Sequence, residues 1–118
     1  MINIIDVAQA ALNRNDLLLR GLVQKIWRAG QPLSEYAKPE TDDPRINALA
    51  AGLLELLAKQ WGQVPPAWVH EIGSMPEPFF LLKYAQEMKN LRLLCERESP
   101  EPLKSRKLYA PPNFLEFV

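Results

Sequence analysis

An all-α domain is what this sequence predicts, and three observations carry the prediction. Apolar residues recur at spacings of three and four along residues 4–12, 16–29, 44–61 and 80–97, which is the helical period. Most of the eleven prolines fall between those stretches, where they punctuate the chain. Alternating apolar and polar runs are nearly absent, so at most the tail or residues 31–38 adds a short strand. With 118 residues, 47% hydrophobic and 24% charged, the chain has ordinary globular composition and enough length for one core. The expected architecture is a single orthogonal or bundle-like helical domain over residues 1–118. A loop at 31–42 and a Pro-rich extended tail at 108–118 complete it.

The elements follow in order. Ile4, Ile5, Ala8, Ala11 and Leu12 make the first stripe, with Asn3 placed to cap it and Asp6 in its first turn. Asn13, Arg14 and Asn15 break the pattern. Leu18, Leu19, Leu22, Val23, Ile26 and Trp27 form the stripe of a helix over 16–29, which Gly30 stops and Pro32 prevents from continuing. Residues 31–42 carry two prolines and mixed polar character and read as the longest loop, most simply a mobile connector.

Residues 44–61 make the strongest helix. Asp43 sits at its cap and Pro44 at its first position. Its apolar run, Ile46 through Trp61, marks it as the centre of the core. Glu55 and Lys59, four apart, read as an exposed pair, and Gly62 ends the helix. After it, Pro65 and Pro66 open a short turn through Trp68 and Val69. The stretch 80–97 predicts a last long helix with a stripe of Leu81, Tyr84, Met88, Leu91 and Cys95. Ser99 as cap and Pro100 then start a short helix through about Lys104. Pro111 and Pro112 favour extended backbone in the tail.

Composition narrows the function classes. Fourteen basic and fourteen acidic side chains give zero net charge, which argues against a general nucleic-acid binder. It also leaves little repulsion to oppose self-association. A single cysteine forbids an intrachain disulfide and fits a reducing compartment. No leader-like segment and no run of roughly 20 apolar residues is legible, so a cytoplasmic location is expected.

No site chemistry stands out. His70 and Cys95 lack partners at metal-ligand spacing. Cys95 lies on an apolar stripe, where a cysteine most simply packs as a small hydrophobe. No nucleophile elbow, Walker pattern or Gly-rich fingerprint is present. No catalytic residue, metal or cofactor is therefore assigned. An enzyme using Cys95 or His70 would instead predict a reactive thiol. Residues 14–28 can be drawn as half of a helix-turn-helix with Arg14, Arg20, Lys25 and Arg28 facing DNA, although few side chains there can read base edges. Trp27 and Trp61 end helical stripes and read as core. Trp68, Phe79, Phe80, Tyr109, Phe114 and Phe117 lie in or beside proline-rich irregular segments. Such aromatics either close a small core or form binding hot spots, and both readings stay open at this point.

One pattern spans residues 51–118. It runs Pro66-Ala67-Trp68, Phe79-Phe80, an amphipathic helix, then Ser99-Pro100-Glu101-Pro102-Leu103-Lys104-Ser105-Arg106-Lys107, Leu108-Tyr109 and Asn113-Phe114-Leu115. It resembles small bacterial proteins that sit beside nucleotidyltransferase-like proteins in toxin–antitoxin-like pairs. Where that pattern places Asn after the basic pair, this chain has Lys107. The resemblance implies a partner-binding, antitoxin-like role and carries over no catalytic residue. The expectation is thus a non-enzymatic protein-interaction module, binding a neighbouring toxin-like protein or a second copy of itself. Trp68, Phe79, Phe80, Tyr109, Phe114 and Phe117 would fill pockets on the partner, and Arg106 would pair with a carboxylate. The alternative is a DNA-binding transcriptional regulator using helix 16–29.

Overall fold

The computed structural model describes residues 2–82, 85 and 87–116. Its five helices are α1 (Ile4–Leu12), α2 (Asp16–Ala29), α3 (Pro44–Trp61), α4 (Lys89–Glu98) and α5 (Glu101–Lys104). Two two-residue strands, β1 (Phe79–Phe80) and β2 (Leu108–Tyr109), and two short 3-10 turns, Leu33–Glu35 and Ala67–Glu71, complete the described elements. The chain is mostly helical, and the small sheet is the departure from an all-α fold.

Local chemistry sets the first three helices. The Asn3 side chain accepts the Ile5 N–H, and the Asn15 side chain accepts the Leu18 N–H at 3.2 Å, so both helices begin on capped N–H groups. Between them Arg14 adopts a positive φ of 52°, which turns the chain. Asp43 accepts the Arg45 N–H at 2.9 Å, with Pro44 at the first helical position of α3. That bond holds the Asp43 carboxyl below its ordinary pKa. Gly30 and Gly62 end α2 and α3 with φ values of 71° and 66°, the left-handed conformation that costs glycine least.

α3 is the axle. Eleven of its residues, from Ile46 to Ala58, are buried, so it is covered almost all round, as a central helix must be. α1 and α5 pack against it, as does the turn 67–71, while α2 packs on α1. Gly52 lets the C-terminal segment come close: a Cβ there would lie 3.1 Å from Leu108 Cδ1 and 3.2 Å from Leu103 Cδ2.

Four expectations need correction. Residues 31–42 do not run as a bare connector, because Leu33, Tyr36 and Pro39 are buried and the Leu33 N–H donates to Gln63 Oε1 at 2.9 Å. Burial also pushes the Tyr36 hydroxyl pKa up. The long helix expected over 80–97 is shortened to α4. Its first residues are claimed by the sheet: Phe79 N–H donates to the Lys107 carbonyl and Leu81 N–H to that of Tyr109, and β1 pairs parallel with β2. Sheet pairing thus overrides local helical periodicity. Of the stripe expected there, Cys95 is buried, Met88 is 56% exposed, and Tyr84 lies outside the described residues.

Third, Ser99 does not cap α5. Its hydroxyl lies against the carbonyls of Cys95 and Ala110 and accepts the Ala110 N–H at 2.8 Å, tying the end of α4 to the chain after β2. Fourth, the tail is not extended throughout. After β2 it folds back in turns, with Phe114 N–H on the Pro111 carbonyl and Glu116 N–H on that of Asn113. Phe114 and Leu115 are buried as a result.

Candidate interaction surface

The residues expected to meet a partner are mostly turned inward. Arg106 is the clearest case. Its side chain is 8% exposed and the guanidinium faces Glu55, with Nη2 3.3 Å from Oε2 and Nη1 3.5 Å from Oε1. Nη1 also donates to the Pro102 carbonyl at 2.7 Å and Nη2 to that of Val69 at 2.9 Å. One side chain therefore joins α3, the turn 67–71 and α5. Its carboxylate partner lies in the same chain. Glu55, expected to pair with Lys59, turns to Arg106 instead, with His70 Nδ1 3.8 Å away.

The aromatics are similarly engaged. Trp68 is half-buried and donates its indole N–H to the Tyr36 carbonyl at 2.8 Å. Phe80 is buried, with its ring centroid 5.3 Å from that of the half-buried Tyr109. Phe79 is half-buried beneath the Arg14 guanidinium, 4.4 Å from the ring centroid, a cation–π geometry. Phe114 is 8% exposed, and its carbonyl accepts from Gln60 Nε2 at 2.8 Å. Phe117 lies outside the described residues. The core-closing reading of these aromatics thus accounts for Phe80 and Phe114, while Trp68, Phe79 and Tyr109 keep partly open edges.

Two residues of the stripe expected as core, Leu18 and Trp27, face outward, as does Leu17 beside them. Leu17 is 84% exposed and Leu18 49%, and Trp27 is 52% exposed. Only Leu19, Val23 and Ile26 of α2 are buried. With 100° per residue, these three occupy one side of the helix. Leu17, Leu18, Gly21 and Lys25 fall on the other, together lining a shallow groove with Asn15 and Leu22. Trp27 sits to one side, edge-on to Trp61 with centroids 5.0 Å apart. The sequence carried a signal for this: five large apolar residues within 17–23 exceed what one buried stripe can use.

The DNA-facing arrangement loses one of its expected residues. Arg14 is committed to Phe79 and donates from Nε to the Phe80 carbonyl at 2.8 Å. Among the described residues no group of three His, Cys, Asp or Glu side chains could hold a metal ion, and no helix is long and apolar enough to cross a membrane. Cys95 is buried, and burial followed by the nearby Glu96 charge pushes its thiol pKa up. Comparison with protein-family models, curated proteins and solved structures finds no match to this chain.

Proposed function

We propose that this protein is a non-enzymatic interaction module that presents the outer face of α2 to another protein. The observation that carries the reading is the pair Leu17 and Leu18, 84% and 49% exposed beside Gly21 and Lys25. Adjacent leucines left in water on a regular helix lose the free energy of burial, roughly 2 kcal/mol for each side chain. A partner surface recovers it. The resemblance of residues 51–118 to antitoxin-like proteins supports a partner encoded nearby, in a bacterial cytoplasm.

The same residues favour protein over DNA. The first turn of a recognition helix enters the major groove, and here that turn holds Asp16, Leu17 and Leu18. A carboxylate and two leucines make no favourable contact with phosphates.

The test is affinity purification of the tagged full chain from its host, beside a Leu17→Glu/Leu18→Glu variant. A stoichiometric protein captured by the natural sequence and lost from the variant is the expected result. Capture indifferent to the two substitutions would sink the α2 reading. A salt-sensitive gel shift that weakens when Lys25 is neutralised would replace it with the DNA-binding one.

A further inference from the structure

α4 is attached to the domain differently from the other long helices. α1, α2 and α3 share one continuous core. α4 buries a single residue, Cys95, and packs only lightly on the other elements. Beneath it lies a separate small cluster: Phe80, Ala85 and Cys95, edged by Leu82, Leu91 and Tyr109. Leu91 and Cys95, four apart on α4, form the row that covers the Phe80–Tyr109 ring pair. Apart from the half-buried Leu93, the rest of α4 is polar or exposed, with Leu94 itself 38% exposed. No side chain caps its N-terminus. At its C-terminus Ser99 supplies a tie to Ala110.

We propose that α4 is a displaceable cover that opens as a unit while the α1–α3 core stays folded, uncovering an aromatic surface made of Phe80 and Tyr109. A helix held by one buried residue and a satellite cluster belongs to the low-stability end of a domain's local openings. The rings beneath it are two of the aromatics in the antitoxin-like pattern, and bonds made outside α4 would hold them in place: the Tyr109 carbonyl accepts the Leu81 N–H and the Phe80 carbonyl accepts from Arg14 Nε. The surface fits an amphipathic helix with apolar side chains four apart, because that is what the structure seats there. Its use in binding rests on the interaction-module reading; the opening itself does not.

Cys95 reports the opening directly. It is the only cysteine in the sequence and is 0% exposed, so an alkylating reagent reaches it only when α4 lifts. The three tryptophans, Trp27, Trp61 and Trp68, all lie outside α4 and report the main core. The experiment labels the purified full chain with iodoacetamide at pH 8 over a urea series and follows tryptophan fluorescence in parallel. In water, labelling should run at least about a hundredfold faster than the global unfolding equilibrium allows, with weaker urea dependence.

Two variants sharpen the test. Ser99→Ala, which removes the tie to Ala110, should speed labelling. Leu49→Ala, which opens a hole in the α3 core, should lower the fluorescence midpoint and leave labelling in water unchanged. Labelling that follows the fluorescence transition in urea, or that accelerates in Leu49→Ala in step with lost global stability, would overturn the proposal. These measurements need no partner, so a failed capture experiment and a failed opening experiment remain separate results.

Discussion

Replacing Arg106 by Met should cost about 3–5 kcal/mol, the range seen when one member of a buried ion pair is removed. The structure indicates where that cost arises. Arg106 is 8% exposed on its side chain and donates to two carbonyls, Pro102 at 2.7 Å and Val69 at 2.9 Å. Hydrogen bonds from a charged donor contribute about 1.5–3 kcal/mol each, and methionine can replace neither. The bond to Glu55 adds less, because Glu55 retains 24% exposure and water can take over the freed carboxylate. A chain of this length has roughly 6–18 kcal/mol of total stability, so the loss is a large fraction. With a urea slope of about 2 kcal/mol per molar, the midpoint falls by about 2 M. Equilibrium unfolding followed by tryptophan fluorescence reads this, since Trp68 is the neighbour of Val69.

Glu55→Gln tests the division of the energy. Arg106 keeps its two carbonyls and one amide oxygen, so the loss should be about 1–2 kcal/mol, below that of Arg106→Met. The reasoning fails if Arg106→Met lies within about 0.5 kcal/mol of the natural sequence. It also fails if Glu55→Gln costs as much as Arg106→Met, for then the ion pair and not the carbonyl bonds would hold the three elements together.

Two glycines should respond oppositely. Gly21→Ala adds a Cβ that meets nothing within 4 Å and gains helix propensity, so the protein should be more stable by about 0.5–1 kcal/mol. Gly52→Val crowds Leu108 and Leu103, already 3.1 and 3.2 Å from a bare Cβ, and should destabilise by about 1–3 kcal/mol. Thermal melts decide, and the same sign at both positions would contradict the packing described for α3. Lys107 has a φ of 61°, a conformation that asparagine tolerates better than lysine. Lys107→Asn should therefore raise Tm by a few degrees, and a lower Tm would show that the position is unstrained. For Cys95, the folded pKa is raised by burial. The stability from burying the neutral thiol is fully present below the ordinary thiol pKa. It is lost as pH rises through that value toward the folded one. Cys95→Ala should flatten this alkaline loss in unfolding curves; an unchanged slope would assign it to other groups, Tyr36 among them.

Helix boundaries set by side chains next to them in sequence were legible. Asn3, the Asn15 break, Asp43-Pro44, Gly30 and Gly62 act through bonds and dihedrals within a few residues, so α1, α2 and α3 lie where their periodicity puts them. The 3-10 turn after Pro66 follows for the same reason; the short helix after Pro100 lies where expected, although Ser99, its expected cap, is tied to Ala110 instead. The central place of α3 was legible too, because so long a run of apolar residues has to be covered on most sides. Glu55 read as an exposed partner of Lys59, and nothing along the chain marked Arg106 as the cation that meets it.

The tertiary structure decided what depends on distant partners. Periodicity over 80–97 is helical, yet residues 79–81 hydrogen-bond across to 107–109, and long-range backbone pairing outweighed local propensity there. Whether Phe80 and Phe114 faced a partner or their own chain turned on how α4 closed over the Phe80–Tyr109 rings and how the tail folded back, and no spacing along the chain encodes that. The leucines of α2 gave the reverse outcome. Spacing alone cannot say which of two apolar helix faces α1 will cover. Packing covered Leu19, Val23 and Ile26, and it left the adjacent Leu17 and Leu18 exposed.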